Sequence, residues 1–169
     1  MITVAYDPGA DGGCAWEENG IIDVISITTN CLAVADQLCC VVGLDRKVKM
    51  LIYVEDQHPM PGNGSPSVFT AGRNFQTLLD GIMIANYRCP LVTMKVVLVP
   101  PTRWKSRFGV MAMTKMTRPQ KKILTFKKLL KIFGKKWCDA HLRGPRNGYK
   151  DGRGDAVGIL LAMKKEIVK

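Results

Sequence analysis

The chain has 169 residues, 47% of them hydrophobic and 23% charged, with a net charge of +11. That length and balance suit one domain with a true core, burying roughly two-thirds of the unfolded chain's surface, and exclude a disordered tail, a collagen-like repeat and a disulfide-stapled miniprotein. Apolar runs such as 82–85 and 96–101 fall far short of the roughly 20 residues of a membrane span, and Met1-Ile2-Thr3-Val4 lacks the basic opening of a signal peptide.

Ile2 to Tyr6 alternates and runs into Asp7-Pro8-Gly9, which predicts a strand ending in a turn. Gly12 to Glu17 and Gly20 to Ile27 read as two more strands, joined by the hairpin signal Asn19-Gly20. The opening is therefore an antiparallel three-strand meander. Leu32 to Val42 has helical spacing. Met50 to Val54 is a continuous apolar run, expected as a buried central strand, and it ends in Glu55-Asp56-Gln57. Residues 58–66 hold three prolines and two glycines and read as a loop.

Ser67 to Tyr87 predicts a long helix, and Met94 to Val99 a second buried strand stopped by Pro100-Pro101. Thr102 to Gly109 can form a short helix carrying Arg103, Trp104, Lys105 and Arg107. Met111 to Arg118 is a basic, Met-rich connector. Pro119 suits a helix start, and Gln120 to Phe133 reads as a basic amphipathic helix. Gly134 to Lys150 reads as a loop, and a last helix runs from Asp151 or Gly154 to Ile167. There is no internal repeat or linker, so residues 1–169 are expected to form one α/β domain. The element order predicts a mixed five-stranded sheet, a three-strand meander plus two parallel strands, with helices on both faces.

The six cysteines include no C-x-x-C pair, and Cys138 with His141 makes only half of a zinc set. With no export signal the thiols are expected to be reduced, most of them small core residues, in a cytoplasmic protein.

Charge divides along the chain. Residues 1–100 hold 6 Lys/Arg against 10 Asp/Glu; residues 101–169 hold 19 against 4. A basic half beside a near-neutral one suggests a polyanion partner, most often nucleic acid, although solubilising charge gives the same count.

Four acids stand out by position: Asp7 ending the first strand, Glu55 ending the first buried strand, and Asp151 and Asp155 opening the last helix. If the first strand pairs with the Glu55 strand, Asp7 and Glu55 meet at one end of the sheet. The i,i+4 spacing puts Asp151 and Asp155 on one helical face. Such a cluster repels itself unless cations neutralise it, and hard oxygen ligands suit Mg²⁺ or Mn²⁺, two of which can drive phosphodiester cleavage. Each acid also has an ordinary reading, as turn acid, loop charge or helix N-terminal charge.

In chain order, Val4-Ala5-Tyr6-Asp7-Pro8-Gly9 with Gly12-Gly13, Ile52-Tyr53-Val54-Glu55-Asp56-Gln57, Ser67 to Gly72 through Leu79-Asp80-Gly81-Ile82, Val99 to Gly109 with its W-K-x-x-F-G segment, and Lys150-Asp151-Gly152-Arg153-Gly154-Asp155-Ala156-Val157 resemble the RuvC-type Holliday junction resolvases of the RNase H-like superfamily. The likeness looks closest to their phage forms and to the plant chloroplast junction resolvase. It implies an RNase H-like fold, a homodimer, paired symmetric nicks in four-way DNA junctions, and Mg²⁺ or Mn²⁺ with no small-molecule cofactor. Asp7, Glu55 and Asp155 fall on the family's metal-binding acids. Asp151 departs from the three-residue spacing of bacterial members, which would place the acid at Gly152, and matches the four-residue spacing of phage-like ones. Lys105 matches a lysine near the scissile phosphate. A second falls among Lys115, Arg118, Lys121 and Lys122, Lys115 being the first candidate. The implied reaction is in-line attack of a metal-activated water, leaving a 5′-phosphate and a 3′-hydroxyl.

Arg103, Lys105, Arg107, Lys115, Arg118, Lys121, Lys122, Lys127 and Lys128 are then expected to line the DNA approach, mostly through phosphates. Arg73 is expected to point toward the junction centre. On the same helix Leu78, Leu79, Ile82 and Ile84 can serve core or dimer interface. His58, and the methionines Met111, Met113 and Met116 as a wedge, are further candidates for DNA contact, against the ordinary readings of a loop histidine and flexible core fillers. Two alternatives remain: a broader branched-DNA or flap nuclease of the same fold, and a non-catalytic junction-binding protein.

Overall fold

The computed structural model describes residues 1–9, 11–27, 30–43, 45–57, 64–111, 116–144 and 148–167, without the side chains of residues 65, 67, 118, 119, 121, 122 and 165–167. The meander forms as expected: β1 (Ile2–Asp7) pairs antiparallel with β2 (Gly13–Glu18), and β2 with β3 (Ile21–Ser26). Asn19 and Gly20, joining β2 to β3, both take positive φ, 52° and 84°, which suits a two-residue hairpin turn. α1 (Cys31–Val42) opens on Asn30, whose side chain accepts the N–H groups of Leu32 and Ala33.

There follow β4 (Val48–Glu55), α2 (Ser65–Arg88), β5 (Val92–Val99), α3 (Pro101–Phe108), α4 (Arg118–Leu142) and α5 (Asp151–Ile167). The sheet order is β3-β2-β1-β4-β5, with β4 parallel to both β1 and β5. This is a mixed five-stranded sheet with helices on both faces.

All six residues of β1 are buried, because the strand is central and covered on both sides. Ile2, Val4 and Tyr6, with Met50, Ile52 and Val54 of β4, build the core under α1 and α2. Ala5 and Tyr53 belong instead to the core under α3, α4 and α5. Side chains alternate along a strand, so Asp7 and Glu55, two residues past Ala5 and Tyr53, face the α5 side.

Three expectations need correction. Met94–Val99 is not a second buried strand: β5 is an edge strand, with Val96 39% and Leu98 44% exposed. An apolar run does not reveal whether a strand has neighbours on both sides.

The stretch after Gly134 is not all loop. Gly134 (φ 78°, ψ 170°) kinks α4, and helix resumes to Leu142. Trp137 stacks on Phe133 across the kink, ring centroids 4.2 Å apart, while Asp139 pairs with Lys135 and Arg143 one turn away on either side. The inward Cys138 and Leu142 are fully buried and anchor this segment.

Finally, half of the cysteines, not most, are core residues. Cys14, Cys89 and Cys138 are buried, Cys31 and Cys39 half-buried, and Cys40 exposed. Among the described residues no helix is long and apolar enough to cross a membrane.

Candidate active site

The turn after β1 and the start of α5 meet backbone to backbone. Gly12 and Gly152 form a parallel bridge, and a Cβ on Gly152 would lie 2.0 Å from the Asp11 carbonyl oxygen. Only glycine tolerates this approach. The contact holds the first turn of α5 against the carboxyl ends of β1 and β4.

Asp7 and Glu55 follow directly on the paired Tyr6 and Val54, so the parallel register sets them side by side. Asp7 Oδ1 accepts the Gly9 N–H at 3.3 Å, an Asx turn that fixes its side chain. Burial pushes the Asp7 carboxyl well above its ordinary range; the negative charges of Glu55 and Asp155, and a hydrogen bond with Glu55, push it further. Asp155 is raised to about 6, chiefly by burial. The Thr125 hydroxyl, as donor, and the Lys105 ammonium hold that rise back, while Glu55 and Asp151 add to it. Asp7 thus feels both Glu55 and Asp155, and Asp155 feels Glu55, so acids from three different elements meet in a water-poor site. Asp151, half-buried at the first position of α5, joins them through Asp155.

α3 supplies the donors. Trp104 is fully buried, and its Nε1–H donates to Glu55 Oε1 at 3.0 Å. Lys105 Nζ lies 3.8 Å from the same oxygen and 5.0 Å from the Trp104 ring centroid. The buried face of α3 is Trp104 and Phe108, which turns Arg103 and Arg107 outward. Both guanidinium groups act on the Tyr53 phenol, holding back the upward push that burial gives it.

Other expected residues lie apart or outside the described set. Arg73 is exposed on α2, which packs with α1 on the sheet face opposite α5. Leu78 and Ile82 are buried in that core, and Leu79 and Ile84 pack against it. Lys127 is exposed; Lys128 is half-buried, its Nζ 5.7 Å from the Phe108 ring centroid. Lys115, His58 and Met113 lie outside the described residues, as do the side chains of Arg118, Lys121 and Lys122. Met111 is 54% exposed. His141, the partner of Cys138 in the half zinc set, stacks on Trp137 with its Nδ1 2.9 Å from that residue's carbonyl oxygen.

Sequence reasoning missed Thr125 and gave Trp104 no task. Nothing in the spacing of Thr125 marks it; Trp104 carried a signal only as part of W-K-x-x-F-G.

Among the described residues, no three His, Cys, Asp or Glu side chains are arranged to hold one metal ion. The chemistry of the donor set nonetheless fits a hard divalent cation: every acidic ligand candidate is a carboxylate, and their mutual repulsion is what such a cation relieves.

No family model and no curated protein matches the sequence. Solved structures do match in fold. The chain is similar to Thermus thermophilus RuvC in complex with a Holliday junction substrate, with a TM-score of 0.54 and 11% identity over 99% of this chain and 96% of that one. It also matches the Thermus thermophilus RuvC structure, with a TM-score of 0.49 and 13% identity at the same coverage. The first likeness defines the fold class, a RuvC-like member of the RNase H-like α/β folds.

Proposed function

We propose that the chain is a structure-selective endodeoxyribonuclease that resolves four-way junctions by paired nicks, dependent on Mg²⁺ or Mn²⁺. The observation that carries this reading is the convergence of Asp7, Glu55 and Asp155 at the sheet end where α5 docks, on a RuvC-like fold. The RuvC neighbour's complex with a Holliday junction supports the choice of substrate. Residues 1–169 act as one nuclease domain, in the cytoplasm. The four-residue spacing of Asp151 and Asp155 supports kinship with the phage-like branch.

Asp7, Glu55 and Asp155, with Asp151 beside them, would hold the cation, which supplies activated water and charge at the leaving oxygen. Trp104 orients Glu55, and Thr125 steadies the ionised form of Asp155. Lys105, beside Glu55, offsets negative charge gathering on the phosphoryl group. Arg103 and Arg107 on the outer face of α3 fix the DNA by its phosphates, as do Lys115, Arg118, Lys121 and Lys122 farther along.

Paired nicking needs two copies of the site. Phe69 near one end of α2, and Met83 and Tyr87 near the other, are 73%, 70% and 89% exposed, and these uncovered apolar side chains, with the polar Arg73, Gln76 and Asp80 between them, support homodimerisation through this helix. Met83→Glu is expected to give a monomer by sedimentation, with the acid site intact.

The test is cleavage of a four-way junction, a flap and a linear duplex, each with Mg²⁺ or Mn²⁺. Symmetric paired nicks confined to the junction support the resolvase. Equal cutting of flap and junction would favour the broader branched-DNA nuclease, and junction binding without cutting a non-catalytic module.

A further inference from the structure

Tyr149 has no task in the mechanism above, yet it is built tightly into the wall of the acid cluster. The Arg143–Tyr149 bridge, with the Lys150 N–H on the Leu142 carbonyl at 2.8 Å, pins its backbone between α4 and α5. Its ring packs on Phe126 at 4.7 Å between centroids. Its hydroxyl lodges against Gly154, where a Cβ would meet the oxygen at 1.8 Å. That glycine immediately precedes Asp155.

The hydroxyl is buried and has no hydrogen-bond partner among the described residues. The groups whose charge it feels are Asp155, Asp151, Cys138 and Asp7, three of them acids of the candidate site. Ionised carboxylates only accept hydrogen bonds, whereas a phenol can donate. A buried, unsatisfied donor packed against the glycine that immediately precedes Asp155 calls for an explanation.

We propose that Tyr149 is a positioning residue of the carboxylate site, its hydroxyl donating a hydrogen bond to the oxygen shell, carboxylate or water, around a divalent cation held by Asp7, Glu55 and Asp155. This rests on the cation reading above and adds a residue to it. Outer partners of this kind typically alter metal affinity about 10–100-fold.

The test is calorimetric titration of Mn²⁺ into the full chain at pH 7.5, paired with thermal melts in EDTA. Tyr149→Phe removes one oxygen and keeps the ring. It is expected to melt in EDTA at or above the wild-type temperature and to bind Mn²⁺ about 10–100-fold more weakly. Phe126→Leu loosens the packing of the ring but keeps the hydroxyl. It is expected to melt lower with affinity little changed. Unchanged Mn²⁺ affinity in Tyr149→Phe overturns the proposal while leaving the cation reading in place. A wild-type chain that binds no Mn²⁺ overturns the cation reading itself, and this proposal with it.

Discussion

At the scale of single residues, the site is costly to keep in its ionised form. Asp155 titrates near 6 in the folded chain, against an ordinary carboxylate value of 3.8. A raised folded-state value means that Asp155 favours folding fully only below about pH 4, and that this contribution is lost as pH rises through about 6. Asp155→Asn is therefore expected to raise the stability of the EDTA-treated protein at pH 7.5 by about 1–3 kcal/mol and to change it little at pH 4, read from denaturant melts at both pH values. A variant less stable than wild type at pH 7.5 would contradict the assigned burial. Trp104→Phe removes the Nε1–H that serves Glu55 Oε1. Leaving a buried carboxylate short of a donor is expected to cost about 1–3 kcal/mol in melts and to lower nicking by at least about tenfold.

The residues that were legible at this scale are those with a positional signature. Asp7 and Glu55 each end a recognisable strand, and Asp151 and Asp155 share a helical face. Thr125 and Tyr149 reach the site only because α4 and the segment before α5 pack beside it, which no local pattern announces.

At the scale of elements, two glycines carry most of the geometry. Gly152→Ala would drive a methyl group into the Asp11 carbonyl and push α5 away from β1. The expected result is about 1–3 kcal/mol of lost stability together with loss of Mn²⁺ binding, because Asp155 moves with the helix. Retained Mn²⁺ affinity would show that the backbone contact does not set the site. Gly134 holds a conformation essentially reserved for glycine, so Gly134→Ala is expected to cost about 1–3 kcal/mol in thermal melts while sparing nicking, the kink lying outside the acid cluster.

The sequence displayed the hairpin at Asn19-Gly20 and the pairing logic of β1 and β4, because turn residues and apolar runs are local signals. It did not display the edge position of β5 or the helix after Gly134. Whether Val96 and Leu98 are covered depends on distant chain. The glycine and lysines of 134–136 masked the inward face made by Trp137, Cys138 and Leu142.

At the scale of the whole molecule, the charge asymmetry and the site coincide. Lys105 stands beside Glu55, with Arg103 and Arg107 exposed on the same helix, in the half of the chain that carries 19 of its 25 basic residues. Binding dominated by phosphate contacts should weaken steeply with salt. If six or more phosphates are contacted, junction affinity is expected to fall by about 1,000-fold or more between 50 and 200 mM salt, measured by fluorescence anisotropy. The double variant Arg103→Ala/Arg107→Ala should flatten that slope.

One comparison bears on all three scales: cleavage of a synthetic four-way junction with Mn²⁺ by the wild-type chain and by Asp7→Asn. Substituting Asn removes a cation ligand and keeps the side chain's shape. Paired symmetric nicks from the wild type, lost in Asp7→Asn while junction affinity is retained, is the expected result. Undiminished cutting by Asp7→Asn would show that the chemistry lies elsewhere. An inert wild type that still binds the junction would leave the acids without a catalytic part.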